Sequence, residues 1–359
     1  MYVFVDIAPE CLELDKENMA AKKTSINDIA KHLNVAKSTV SFIINGKAEE
    51  RRISKELEKR VLDYVNEIGF KPHHLAQSLA TGRSNSIGLI VENIGDSFFG
   101  PIALKIEEKA KKSGYRIVYS STLGDSQSTK EILRFFRETQ LDAYIIAPPL
   151  GVEDAIKEVI EEGRPVVVFD RRLEGLETNY VGTNNQEAAY EACVHMLDQG
   201  FERVAFITLD SDQSQMKERL SGYLQGMADH HLQAYILKIP YDFAREDRQG
   251  MIAHYIKDNP EVDALFFATN YLCIDGLEVT KNLGKAIPQD IGVIVFDEHD
   301  IFRLYSPAIT AVKQPLEKLS ETIIDMLLNK ISSKKSQPPF IEKIVPSTLV
   351  VRESTIKRK

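Results

Sequence analysis

The chain has 359 residues, 45 Lys and Arg against 53 Asp and Glu for a formal net charge of −8, and 43% hydrophobic residues. That length supports two or three domains with their own cores, and the composition excludes fibrous and disordered classes. No apolar run approaches the roughly 20 residues needed to cross a bilayer, and the opening MYVFVDIAPECLELDKEN lacks the basic start and continuous apolar core of a secretory signal, so no membrane association is expected. Cys11, Cys193 and Cys273 are scattered without metal-ligand spacing, which fits a reduced, cytoplasmic setting and gives no reason to expect a metal or cofactor.

In chain order, residues 1–21 are expected to be a disordered leader, with Met19 and the AAKKTSIND that follows it the more natural beginning. Residues 22–84 carry 12 Lys and Arg against 7 Asp and Glu, while residues 85–359 hold a net −9, so the basic charge is concentrated in the N-terminal sixth. Such a distribution suits a small nucleic-acid-reading module attached to a large acidic domain that avoids phosphates. Within residues 22–70, SINDIAKHLNVAKSTVSFIIN reads as two short helices joined by a tight turn. The first spans 26–33, with Ser25 as N-cap and Asp28 completing a capping box, and buries Ile26, Ile29, Ala30 and Leu33. Asn34 suits a left-handed turn and Val35 buries it. The second helix starts near Lys37 and packs Val40, Ile43 and Ile44 inward, leaving Lys37, Ser38, Ser41 and Phe42 to face DNA. A helical hairpin by itself fits plain packing equally well. After a polar loop, a third helix capped by Ser54 carries the buried stripe Leu57, Val61, Leu62, Val65 and Ile68 and ends at Gly69.

Residues 71–84, KPHHLAQSLATGRS, form a linker in which 73–80 have helical potential, in a segment too short to be a stable helix alone. From residue 85 the pattern changes to short apolar runs alternating with helices. SIGLIVEN, RIVYSST, AYIIAPP and PVVVFDR alternate with helices at 102–113, 129–139 and 152–162. RVAFITLD, AYILKIP, ALFFATN and IGVIVFD follow, spaced by helices at 186–199, 218–230, 245–258 and 274–283. Two such βα series predict an α/β fold with two doubly wound parallel-sheet subdomains, in which ligands bind beyond the carboxyl ends of the strands. Asp170, Asn270 and Asp297 close three of the runs, and Arg219 lies in the loop-to-helix stretch after RVAFITLD. Carboxylate and guanidinium groups at those places can grip adjacent hydroxyls of a sugar ring, although Asp and Asn also simply cap helices.

Together, DIAKHLNVAKSTVS, KPHHLAQSLATGRS, the RLSGY beginning at Arg219, the ATN around Asn270, the VFD ending at Asp297 and ITAVKQP resemble the LacI/GalR family of bacterial transcriptional regulators over nearly all of residues 23–355. The resemblance implies a three-helix helix-turn-helix head, a hinge helix and two subdomains of periplasmic-binding-protein type. It implies that Lys37 and Ser38 face base edges, that Thr39 and Ser41 lie near phosphates, and that Thr24, Ser25, Phe42 and Asn45 complete the DNA-facing set of the head. In the hinge it implies contacts from His73, His74, Ala76, Gln77, Leu79 and Ala80, with Leu79 wedged into the minor groove. It maps Asp170, Arg219, Asn270, Asp297 and Gln314 onto an effector cleft.

Four departures from the family pattern touch these surfaces. Ala36 stands where Ser is usual, removing a helix cap, and Phe42 stands where Arg is usual, leaving either a thymine-methyl contact or inward packing. The loop 46–52 is longer than usual, and its Arg51 and Arg52 are candidate phosphate contacts. In the cleft Tyr271 replaces the usual Asp; with Phe98 or Phe99 it offers an aromatic platform, against which core packing of the two Phe weighs equally. The expected function is a DNA-binding regulator, a repressor released from a pseudo-palindromic operator by a sugar. A purine corepressor is the alternative, with an enzyme or an exported sugar-binding protein behind it. No Gly-rich phosphate loop, GxSxG elbow or metal-spaced His pair supports an enzyme, and DEHD at 297–300 is as readily a polar loop as a metal site. One head covers too little DNA for specificity, so a homodimer is expected, and VVRESTIKRK carries no heptads for a tetramer.

Overall fold

The computed structural model describes residues 24–70, 83–333 and 339–356, and the chain divides into two units at Gly82/Arg83. The expected leader, Cys11 and the expected hinge helix lie outside the described residues.

The first unit holds α1 (Ile26–His32), α2 (Lys37–Ile44) and α3 (Lys55–Glu67). The capping box at Ser25 closes in both directions: the Asp28 N–H donates to Ser25 Oγ at 3.3 Å and the Ser25 N–H to the Asp28 carboxylate at 2.9 Å. Asn34 makes the turn at φ 52°, and Ala36 precedes α2 without any side-chain cap bond. Ile29, Ala30, Val40, Ile43, Val61 and Val65 form the core, joined by Ala48 from the loop. That loop is therefore not wholly polar: Ala48 is buried, and its carbonyl accepts the Ile53 N–H at 2.8 Å. Leu62, expected in the buried stripe, is 37% exposed. Leu57, Val61, Val65 and Ile68 follow the 3.6-residue row into the core, and Leu62, about 100° beyond Val61, falls off it.

The second unit contains two six-stranded sheets. The first is built from β1 (Ser86–Val91), β2 (Arg116–Ser121), β3 (Ala143–Ile146), β4 (Val166–Phe169), β5 (Asn179–Gly182) and β11 (Glu342–Ile344), in the order β2-β1-β3-β4-β5-β11, all parallel. The second is built from β6 (Val204–Asp210), β7 (Tyr235–Pro240), β8 (Ala264–Phe267), β9 (Gly292–Phe296), β10 (Thr310–Lys313) and β12 (Thr348–Val350), in the order β7-β6-β8-β9-β10-β12, parallel except that β12 runs antiparallel to β10. The helices are α4 (Phe99–Lys112), α5 (Ser126–Glu138), α6 (Glu153–Glu161), α7 (Asn185–Asp198), α8 (Ser214–Asp229), α9 (Arg245–Asp258), α10 (Asn270–Asn282), α11 (Asp300–Leu304) and α12 (Leu316–Ser332). The chain passes between the sheets three times, after β5, β10 and β11.

Central strands such as β3, β4, β8 and β9 are buried along their whole length, which is why they appear as continuous apolar runs rather than alternating ones. Four strands escaped the sequence pattern: β5 (NYVG), β10 (TAVK), β11 (EKI) and β12 (TLV) are as short as β3, β4 and β8 or shorter, and polar residues or Gly break the apolar run that revealed those three. The helix α12 was also unassigned, although Leu319, Ile323 and Leu327 mark an apolar row, which packs with Ile102 and Ile106 of α4. Four helices start three or four residues earlier than expected, α4 at Phe99, α5 at Ser126, α8 at Ser214 and α10 at Asn270, so Asn270 stands on a helix rather than before one and Arg219 lies in the second turn of its helix rather than at its start. The linker's last residue is already anchored in this unit, since the Asp142 carboxylate accepts the Ser84 N–H at 2.8 Å and the Asn85 N–H at 3.0 Å. No helix among the described residues is long and apolar enough to cross a membrane.

Candidate functional site

Both sheets end their fourth strand in the same way. Asp170 follows β4 at φ 66° and Asp297 follows β9 at φ 77°. Their N–H groups donate to the next strand, to the Val181 carbonyl at 3.2 Å and the Val312 carbonyl at 3.0 Å. The left-handed conformation bends each chain sharply at the sheet edge, and Asp tolerates it better than larger side chains.

These two residues help line a cleft of about 330 Å³ between the carboxyl ends of the two sheets, where doubly wound folds bind ligands. Phe98, Phe99, Asp170, Arg219, Asn270, Tyr271, Asp297 and Gln314 all line it, so the structure brings the eight residues proposed from sequence into one place. A larger hollow of about 650 Å³ shares Phe98, Asp297 and Gln314 with it, but the convergent polar groups belong to the smaller cleft.

Arg219 is 2% exposed and held by protein groups. Its Nη1 donates to the Ala268 carbonyl at 2.7 Å and to Asp297 Oδ2 at 3.0 Å, its Nε donates to Asn185 Oδ1 at 3.0 Å, and the guanidinium lies 3.8 Å from the centre of the Phe296 ring. Gln314 Nε2 donates to the other oxygen of Asp297. Asp170 is differently placed: Arg171 Nε is 3.2 Å from its carboxylate, and burial pushes its pKa up to about 6 against the opposing pull of Arg171 and Arg219. Asn270 Nδ2 donates to Ser97 Oγ at 2.9 Å, a bond between the two subdomains. Arg172 adds a second link, its N–H donating to Ser214 Oγ at 2.8 Å and its guanidinium pairing with Glu218. Phe99 is buried edge-on against Phe169 and serves the core, whereas Phe98 is half-buried. Tyr271 lies under the Arg248 guanidinium at 5.5 Å, and burial raises its hydroxyl pKa.

Sequence reasoning passed over Glu92, Asp96, Arg171, Gln213, Gln215 and Tyr241, which also line the cleft. Glu92 directly follows β1 and Tyr241 directly follows β7, so the strand-end rule that found Asp170 would have found both. Gln213 and Gln215 carry no comparable signal. The DEHD stretch is engaged in other work: Glu298 pairs with Arg352 at 2.6 Å, His299 Nδ1 caps α11 at Ile301, and Asp300 pairs with Arg303 at 2.9 Å. Cys193 and Cys273 are buried thiols whose pKa values burial raises, to about 12 for Cys193.

In the first unit Lys37 and Ser38 are exposed on the first turn of α2, as are Thr24, Ser25, Arg51 and Arg52 elsewhere, while Thr39, Ser41, Phe42 and Asn45 are half-buried. The Arg51 guanidinium stacks over the Phe42 ring at 4.7 Å, so the extended loop folds back on α2 at the residue that departs from the family pattern. Asn45 Nδ2 donates to the Ser41 carbonyl at 2.8 Å and closes the end of that helix. His73, His74, Ala76, Gln77, Leu79 and Ala80 lie outside the described residues.

A helix-turn-helix head and a pair of doubly wound subdomains around a polar cleft define a DNA-reading protein with a built-in small-molecule site. Residues 25–73 match the bacterial regulatory proteins of the lacI family, and residues 194–355 match the periplasmic binding protein-like domain. Among curated relatives, the HTH-type transcriptional repressor PurR of Aliivibrio fischeri is 26% identical over 339 residues, covering 93% of this chain and 99% of its own. The ribose operon repressor of Halalkalibacterium halodurans is 26% identical over 332 residues, covering 92% and 97%. Among solved structures, a periplasmic binding protein/LacI transcriptional regulator from Alkaliphilus metalliredigens, complexed with D-xylulofuranose, is 26% identical with a TM-score of 0.68, over 76% of this chain and 99% of its own. The chain carries a lacI-family regulatory domain at residues 25–73, and it is a DNA-binding transcriptional regulator.

Proposed function

We propose that this chain is a cytoplasmic, non-enzymatic repressor that binds a pseudo-palindromic operator as a homodimer and is released by a sugar held in the cleft. The observation that carries the sugar reading is the meeting of Asp170, Arg219, Asn270 and Asp297 in one cleft, where carboxylate, guanidinium and amide groups can bind adjacent hydroxyls bidentately. The ribose operon repressor and the xylulofuranose complex lend support as relatives. The bonds between subdomains at Asn270–Ser97 and Arg172–Ser214 span the space that a ligand would change, so a ligand that prefers one subdomain arrangement shifts the equilibrium between two states of the protein. On the DNA side, Lys37 and Ser38 read bases and Thr39, Ser41, Arg51 and Arg52 meet phosphates, while Phe42, held under Arg51, shapes the surface rather than supplying a guanine contact.

The purine-corepressor reading is favoured by the PurR relatives and by the half-buried rings of Phe98 and Tyr271 at the cleft. One experiment separates the two. Duplexes enriched from a random pool by the full chain are titrated by fluorescence anisotropy in the presence of sugars or purines. A sugar that weakens binding to a two-fold symmetric duplex, with the effect lost in Asn270→Ala, supports the proposal. A purine that strengthens binding replaces it with the second reading, and failure to enrich any duplex overturns both.

A further inference from the structure

The charges in the cleft do not balance. Glu92, Asp96, Asp170 and Asp297 face it, together with the guanidinium groups of Arg171, Arg219 and Arg248. Each guanidinium already has its anion: Arg171 pairs with Glu92 and Asp170, Arg219 with Asp297, and Arg248 with the buried Asp275 behind the wall at 2.8 Å. Asp96 has no cationic partner among the described residues. Its Oδ1 accepts the Phe98 N–H at 2.7 Å, in the turn that leads into α4, and the charged groups that perturb it most are both anions, Asp297 and Glu92. Burial first, and those two anions after the Phe98 bond has partly offset it, raise its pKa above the usual carboxylate value, and a cation placed beside it would restore the charged form.

A second observation is that several buried groups on this wall lack a hydrogen-bond partner among the described residues: Arg171 Nε and Nη1 and the Tyr241 hydroxyl, which the hydroxyls of a ligand can serve, and one acceptor that needs a donor. Gln215 is 3% exposed and lines the cleft; its Nε2 donates to Gln213 Oε1 at 3.1 Å, and its own Oε1 has no hydrogen-bond partner among the described residues. A buried acceptor left open costs free energy unless a donor arrives to fill it. An ammonium group brings three donors and the missing positive charge, whereas a hydroxyl brings one donor and none of the charge.

We propose that the ligand of this cleft is an amine-bearing sugar whose protonated amine is set at Asp96, its hydroxyls meeting the remaining polar groups. This rests on the reading of the cleft as the effector site. It assigns Asp96 the choice between a neutral sugar and its amino counterpart, a residue that the strand-end aspartates do not include.

The test uses the full chain and matched probes: D-glucose against D-glucosamine, D-galactose against D-galactosamine and D-mannose against D-mannosamine, by titration calorimetry at about pH 6, where the amines are protonated. In at least one pair the amino sugar should bind about 10 to 100 times more tightly, the range expected for a hydrogen bond to a charged group. Asp96→Asn keeps the turn acceptor for the Phe98 N–H and removes the charge, so it should reduce that advantage to about onefold. Asn270→Ala tests the cleft itself and should weaken both members of the pair. Equal or tighter binding by the neutral sugar in every pair, no binding by any probe, or an amine preference that survives Asp96→Asn overturns the proposal. If Asn270→Ala weakens binding in the first or last of these cases, the effector reading stands without the amine. Binding unchanged in Asn270→Ala overturns the effector reading and the proposal with it.

Discussion

The two sheets of the second unit share one strand order and one backbone device, a left-handed aspartate after the fourth strand, but they surround it differently. Asp297 has both oxygens occupied, one by Arg219 and one by Gln314, and is fixed as part of the wall. Asp170 has a single close cation at 3.2 Å, sits in a more costly environment and has its pKa raised to about 6. The same turn therefore supplies a rigid anchor on one side and a titratable group on the other. Backbone topology places a carboxylate in the cleft, and its neighbours decide whether it is structural or responsive.

The strongest way to break this contrast is Arg219→Ala. It leaves the Asp297 carboxylate, the Ala268 carbonyl and Asn185 Oδ1 without their donor in a buried setting, and a loss of about 3 to 5 kcal/mol in urea unfolding is expected. A loss below about 1 kcal/mol would mean that Asp297 is no better held than Asp170.

Asp170→Asn sharpens the other half. Because the folded pKa is raised from 3.8 to about 6, the folded state holds this proton more tightly than the unfolded state. The stability it contributes is fully present below about pH 4 and is lost as pH rises through about 6, a change of about 3 kcal/mol. Asparagine does not titrate, so the variant should gain on the native chain by about that amount between pH 4 and pH 7. Parallel stability profiles for the two proteins would show that Asp170 is not titrating there.

The smallest expected effect concerns how the two subdomains pack their helices. Beside the first sheet α4 and α12 meet through Ile102, Ile106, Leu319 and Ile323, while α7 and α8 meet at Gly222, where a Cβ would stand 2.1 Å from the Gln186 carbonyl oxygen and 2.8 Å from the Tyr190 nitrogen. Both neighbours are backbone and cannot swing aside. Gly222→Ala should cost about 1 to 3 kcal/mol, visible as a lowered Tm; an unchanged Tm would show that the helices can separate freely.

The sequence was most legible where a local signal was strong. The capping box at Ser25, the Asn34 turn and the continuous apolar runs of β3, β4, β8 and β9 each reflect chemistry contained within a few residues. Leu62 shows the limit, because an apolar residue beside the stripe looks no different from one within it until the helix phase is known. Asp170, Asn270 and Asp297 were legible as cleft residues because a strand end is a local feature that topology always turns toward the same edge.

What the sequence by itself determined was the class of fold and the ends of the strands, through hydrophobic period, caps and turn residues. Only the tertiary structure decided how the cleft is charged. Asp96 owes its burial and the nearby Asp297 charge, and Gln215 its burial, to the folded chain, and a carboxylate without a cation or an open amide oxygen exists only once every possible partner has been placed. Burial and pairing are properties of three-dimensional neighbourhoods, so no spacing along the chain can encode them.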